Sequence, residues 1–259
     1  MLSQTYCDAL LKFTIRMYQL LQSKNAENEN VVCSAFSVAC SLAMLAGGAG
    51  GSTSKQIFAL LSLKASKDRI REHFSNLLTM LSGCAPDATF LVANRLYSDK
   101  RFPVQSGYVV LLESSYGATL KSVDFSSSHE VVRREANAWI KEQTASKVQD
   151  MLRPGSVDSR TVLETLKDLG VKDLFTPGKA DLSGIFESGR PAVSEVIHKA
   201  AVEVYEEGTE PAASTTVVIE STGTIAAQAV RFVVDHPFMF LIKSNEPEVI
   251  LFMGSVRKL

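Results

Sequence analysis

Apolar positions recur at helical spacing through the first half of the chain. In MLSQTYCDALLKFTIRMYQLL, residues Leu10, Leu11, Phe13, Ile15, Met17 and Leu20 predict an amphipathic helix interrupted by Asp8, Lys12 and Arg16. Residues 31–54 carry no charge; 31–46 predict a helix buried on all sides, followed by the glycine cluster GGAGGST at 47–53. Helical spacing returns over 54–61 and over 67–81, the latter through Ile70, Phe74, Leu77, Leu78 and Leu81. Residues 88–99 have a strand-like core in Phe90, Val92, Leu96 and Tyr97. A helix is predicted over 106–116, closed near Gly117, then a strand over 118–125. Residues 129–152 predict an amphipathic helix with Val132, Ala136, Trp139, Ile140, Thr144, Val148, Met151 and Leu152 inward, stopped by Pro154-Gly155.

The second half opens with a short helix over 164–169 and a loop containing Pro177, Gly178 and Gly184. Residues 193–206 alternate apolar and polar from Ala200 on, as a half-buried strand does. Residues 206–229 are rich in Ala, Thr, Ser and Val and contain no aromatic and no basic residue. Near-continuous apolar runs at 238–242 and 249–253, joined by SNEPE, predict a buried hairpin. Early helices and late strands argue an α+β fold. With no internal repeat and no linker, residues 1–259 read as one domain, divided only for description at 1–163 and 164–259.

Composition narrows the function classes. At 259 residues, 46% hydrophobic and 21% charged, the chain can bury a core without disulfides and is not disordered. A net charge of -1 gives no global field to attract nucleic acid or an anionic membrane. The uncharged stretch 31–54 is diluted by Ser34, Ser37, Ser41 and glycines, so a buried helix fits better than a membrane span. Cys7, Cys33, Cys40 and Cys84 match no metal spacing and read as buried free thiols. On a common helix Cys33 and Cys40 would share a face about 10 Å apart, too far for a disulfide. His73, His129, His198 and His236 are scattered, so no metal site and no cofactor are expected. The N-terminal run lacks the continuous apolar region of a signal peptide, and no Asn-x-Ser/Thr acceptor occurs.

Searches for an active site come up short. GGAGGST has no Lys before Ser52 and follows a helix, where a phosphate loop follows a strand. Asp235-His236 has no nucleophile elbow to complete a triad, so His236 is expected to pack or hydrogen-bond. Glu206 and Glu207 are adjacent, so on a strand they face opposite sides and make a poor acid/base pair. An ordinary enzyme is disfavoured.

Residues 203–215, EVYEEGTEPAAST, closely resemble the reactive-loop hinge of serpins, roughly EVNEEGTEAAAAT. Other segments resemble the family in order: NVVCSAFSVACSLAMLAGGAGGSTSKQI, ANRLYSDKRF, YGATLKSVDF, LKDLGVKDLF with ADLSGI, DHPFMFLI and ILFMGSV. Helix 136–152 is similar to the serpin NxWVxxxTxxKIxxLL segment, and the wording is arthropod-like. The resemblance implies serpin helices packed on a central mixed sheet, and a suicide inhibitor of a serine-type endopeptidase. The protease would attack the loop and form an acyl-enzyme ester, and the hinge would then insert into the sheet and distort the protease. The implied hinge is Glu206, Glu207, Gly208, Thr209, Glu210, Pro211, Ala212, Ala213, Ser214 and Thr215. Small side chains suit entry between strands, and Thr209, Pro211, Ala213 and Thr215 would share one face. Pro211 departs from the family's alanine and cannot complete a strand ladder. Family spacing sets the scissile bond at Thr222-Gly223. The first basic residue after Glu210 is Arg231, so the implied partner is a protease that is not trypsin-like, one accepting small or aliphatic residues. The family habit implies a monomer in the extracellular space; a cytoplasmic location is the alternative.

The resemblance also has a gap. After SRTVL at 159–163 the family continues with a strand like LVLVNAVYFKGxW and several further strands and helices, whereas here Glu164 opens the later helix directly. The junction Leu163-Glu164 therefore reads as an internal deletion. It would remove the strand beside which the hinge inserts and the strands that pair with the C-terminal hairpin, leaving open edges and exposed apolar faces. The alternative function is a non-inhibitory or inactive truncated isoform, acting if at all as an interaction protein.

Overall fold

The computed structural model describes residues 4–25, 29–82, 94–144, 146, 152, 160–193 and 235–258. In chain order these form α1 (Gln4–Lys24), β1 (Val31–Cys33), α2 (Ala35–Gly48), α3 (Gly51–Leu60), α4 (Lys67–Ser82), β2 (Arg95–Asp99), α5 (Ser106–Tyr116), β3 (Thr119–Val123), α6 (Phe125–Gln143), α7 (Arg160–Asp168), a 3-10 turn (Asp173–Phe175), β4 (Phe238–Asn245) and β5 (Glu248–Val256). The α+β class holds. Among the described residues the strands fall into two sheets: an antiparallel one in the order β1-β5-β4, and a parallel pair β2-β3.

Helix α2 is the centre of the molecule. The Ser34 hydroxyl caps its start by accepting from Ser37 N–H at 3.2 Å. Residues on all its sides, from Ala35 and Phe36 through Cys40 to Leu45, are buried. Around it α1 contributes Leu10, Phe13 and Met17, and α4 contributes Ile70, Phe74 and Leu77 at the expected spacing. The 163–185 segment contributes Leu166, Leu174 and Ile185, and β5 contributes Val249 and Leu251, to the same core. Helix α5 ends as expected, with Gly117 in the left-handed region at φ 56°.

Several expectations need correction. Val31–Cys33 is not helical: it forms β1 and pairs with β5. Asn30 holds that pairing from outside, its Oδ1 accepting from Arg257 and Lys258 N–H at 2.8 and 3.0 Å. Cys33 and Cys40 thus belong to a strand and a helix and share no helix face. Both are buried free thiols, as is Cys7, and burial pushes Cys33 up to about 11. The helix expected over 54–61 starts earlier, since Gly51 of the glycine cluster opens α3, while Gly47 and Gly48 end α2. The strand expected to Phe125 ends at Val123, because Asp124 caps α6 by accepting from Ser126 and Ser127 N–H. Ser128 is non-helical, so the regular helix does begin near His129; it ends at Gln143, short of the expected Leu152. The hairpin lies where expected but is only half buried, with Met239 58% and Leu241 57% exposed.

Candidate functional site

The hinge Glu206–Thr215, the bond Thr222-Gly223 and the strand expected over 193–206 lie outside the described residues, apart from Val193. The structure describes the frame that carries this segment. The chain leaves at Val193, whose N–H donates to the Leu174 carbonyl at 3.0 Å. It returns at Asp235, next to β4. His236 does not pack: it is exposed, and its Nδ1 lies 2.9 Å from the Asp235 carboxylate.

Upstream of Val193 the chain is clasped against the α2–α3 corner. Gly50 N–H donates to the Asp181 carbonyl at 2.9 Å, and Gly184 N–H donates to the Gly48 carbonyl at 3.0 Å. The Thr53 hydroxyl accepts from Asp181 N–H at 3.0 Å. Gln56 Oε1 accepts from Lys172 and Asp173 N–H at 2.8 and 2.9 Å, and Ser52 donates to the Asp173 carboxylate at 2.5 Å. These contacts need glycine: a Cβ on Gly50 would stand 2.4 Å from Asp181 Oδ2, and one on Gly48 would stand 2.2 Å from Ile185 Cγ1. The glycines therefore serve close packing of one segment on another. A phosphate approaching the start of α3 would meet the Asp181 carboxylate, which Ser183 hydrogen bonds hold below the usual carboxylate range. This polar clasp was not legible in the sequence. GGAGGST and ADLSGI each stood out as words, but nothing in either says that they touch.

The parallel pair β2-β3 forms the second sheet. It runs in register from Arg95↔Thr119 to Asp99↔Val123. Arg95 lies 3.9 Å over the Trp139 ring of α6 and donates to the Thr119 hydroxyl at 2.8 Å. Asp99 binds Arg101 through both carboxylate oxygens, which lowers its pKa. On its other side β2 has no paired strand among the described residues. Asn94 Nδ2 and Ser98 Oγ, beside and on that strand, are buried without a hydrogen-bond partner among the described residues. Among the described residues no group of His, Cys, Asp and Glu is arranged to hold a metal ion, and no helix is long and apolar enough to cross a membrane.

A family profile described as serpin (serine protease inhibitor) matches residues 8–164 and 162–259. The chain belongs to the serpin family. It is 33% identical over 372 residues to Iris of the tick Ixodes ricinus, spanning 96% of this chain and 98% of the relative. It is 26% identical to leukocyte elastase inhibitor A of Mus musculus, spanning 94% and 97%. A crystal structure of a highly specific serpin from the insect Tenebrio molitor resembles it with a TM-score of 0.81 at 22% identity, covering 100% of this chain and 99% of that one. The arthropod wording is matched by the tick relative. The alignment to Iris extends over 372 positions against the 259 residues of this serpin, so more than a hundred positions of the relative face no residue here. The two family matches meet at 162–164, where the sequence placed the junction. In the structure that junction lies inside α7. The helix runs through Leu163-Glu164 without a break, with Leu163 and Leu166 both buried in the common core.

Proposed function

We propose that this serpin inhibits a serine-type endopeptidase as a suicide substrate, with Glu206–Thr215 as the inserting hinge and Thr222-Gly223 as the scissile bond. The observation that carries the reading is the hinge wording EEGTEPAAST within a chain whose two halves both match the family. The protease serine attacks the Thr222 carbonyl, the Gly223 amine leaves, and the acyl ester joins the two proteins. Gly208 lets the backbone turn, and the small residues after it enter the sheet. The target is a protease of small or aliphatic preference. The absence of a basic residue between Glu210 and Arg231 supports this, as does the likeness to a leukocyte elastase inhibitor. Residues 1–259 act as one unit, supported by the core shared across the junction. The family habit favours action in the extracellular space, which detection of the chain in medium rather than in the cell would check.

The test is incubation of the intact chain with a panel of proteases. An SDS-resistant complex of protease and serpin is expected with an elastase-like enzyme, and mass spectrometry of the released peptide should begin at Gly223. Cleavage after Arg231 would overturn the target preference. Complete loop cleavage with no complex would replace inhibition by the second reading, a non-inhibitory isoform, which the edge of β2 left unpaired among the described residues and the positions of the relative that face no residue here favour. Pro211→Ala should raise the yield of complex, because alanine restores the N–H that proline removes from the inserting strand. An unchanged yield would free Pro211 of that role.

A further inference from the structure

Strand β4 is the outer strand of its sheet among the described residues, and what it presents is apolar. Its register sets Met239 beside Ser255 and Leu241 beside Met253. On the neighbouring pairs Val31↔Ser255 and Cys33↔Met253, Val31 and Cys33 are buried. Directly opposed residues share a face, so Met239 and Leu241 point to the buried side of the sheet. Helices α1 and α2 pack over β5, and Met239 and Leu241 nevertheless stand 58% and 57% exposed. Proteins blunt such edges with lysine, proline or a bulge. Residues 238–242, FMFLI, contain none of these; Pro237 comes before them, and the bulge at Ile242/Lys243 comes after.

We infer that this edge binds a second copy of the chain, β4 against β4 in antiparallel register about a two-fold axis at Phe240. The segment is self-complementary in that register. Met239 faces Leu241 of the second copy, Leu241 faces its Met239, and Phe238 faces its Ile242. No charged residue enters the ladder. At each end Lys243 of one copy comes to Pro237 of the other and Asn245 to Asp235, so Lys243, which its own Glu248 holds at 3.1 Å, lies one diagonal step from the exposed Asp235 of the second copy. The axis stands perpendicular to the sheet. Both helical layers therefore lie on the same side, with the four exposed Met239 and Leu241 side chains brought together between them. The contact is isologous and closes at two copies, giving six strands in the order β1-β5-β4-β4-β5-β1. A five-residue ladder is smaller than the ~1,200–2,000 Å² of a standard interface, so dissociation is expected on the order of micromolar. The dimer replaces the monomer implied by the family resemblance.

Sedimentation equilibrium of the intact chain tests this over about 1 to 100 µM. The mass should rise from 28.2 kDa to a plateau at twice that value. Hydrogen exchange at residues 238–242 should slow over the same range. The double variant Met239→Lys/Leu241→Lys should stay at the single-chain mass with an unchanged thermal midpoint, since both side chains are in solvent in one copy. A wild-type chain monomeric throughout would overturn the inference. So would a mass that climbs past two copies without a plateau, which is open-ended aggregation. Protection of 238–242 that is independent of concentration would also overturn it, because the edge would then be held within one chain. The exchange measurement needs no variant and decides the matter even if the double variant misfolds.

Discussion

Replacing Gly184 by alanine tests the clasp that holds the late segment to the α2–α3 corner. A Cβ at this position would stand 2.8 Å from the Gly48 oxygen, 3.1 Å from its Cα and 3.2 Å from its carbonyl carbon. All three are backbone atoms, so no side chain can swing away, and one segment must retreat from the other. Overpacking of this kind costs about 1–3 kcal/mol. The retreat also weakens the 3.0 Å bond from Gly184 N–H to the Gly48 carbonyl, worth about 1 kcal/mol. Alanine recovers up to about 1 kcal/mol by restricting the unfolded chain. The net loss is about 1–3 kcal/mol, a fall in thermal midpoint of roughly 2–6 °C for a chain of this length. The matched control is Gly107→Ala, at the start of α5, where a Cβ meets nothing within 4 Å. There only the helix and entropy gains remain, and the midpoint should rise by roughly 1–3 °C. Scanning fluorimetry or calorimetry reads both. A Gly184→Ala chain as stable as wild type, or equal losses in the two variants, would refute the steric account.

Two further outcomes follow from the core. His73 is buried against the Tyr6 ring at 3.9 Å with no hydrogen-bond partner for its Nε2 among the described residues, and burial lowers its pKa to about 4. The nearest rings, Tyr6 and Phe74, supply no charge. The unfolded chain therefore takes up the proton first. Stability attributable to His73 is complete above about pH 6.5 and is lost as pH falls toward 4, by at most about 3 kcal/mol. Urea midpoints of wild type and His73→Phe should diverge across that window, and parallel pH profiles would exclude His73 as the group. Leu166 has no exposed surface, and Leu166→Ala should cost about 2–5 kcal/mol by denaturant titration; a loss under about 1 kcal/mol would show that α7 is not anchored in the core.

Where the sequence spoke through periodicity, it spoke well. Helix α4 follows from Ile70, Phe74 and Leu77, and α5 from its apolar run and Gly117. The hairpin follows from two apolar runs around a short turn. Errors fell where a short element borders a long one of the same polarity. Val31–Cys33 is uncharged and abuts α2, so three strand residues merged with the helix, although Ser34 offered the capping signal that separates them. Exposure of the hairpin is not a local property: FMFLI is apolar enough to be buried, but burial depends on what lies beside the strand. The deletion reading supplied that information from a distance, and exposed Met239 and Leu241 agree with it. The hinge was legible only as family wording, since no periodicity distinguishes a reactive loop from any stretch of small polar residues. The clasp through Asp181, Thr53 and Gln56 joins residues more than a hundred positions apart, a separation no local pattern spans.

Helix α7 is a weld, and a weld has a phase. Each residue advances an α-helix by 1.5 Å and about 100°. Leu163 before the joint and Leu166 after it both reach the core, and two residues further on Asp168 meets Lys24 of α1 at 2.6 Å. One residue added between Leu163 and Glu164 would rotate everything downstream by a third of a turn, swinging Leu166 toward solvent. A long segment can thus be missing at this point without a linker to take up the mismatch, provided the two flanks meet in step. The length of the chain is in this sense quantised: the joint tolerates a change of a whole turn far better than a change of one residue.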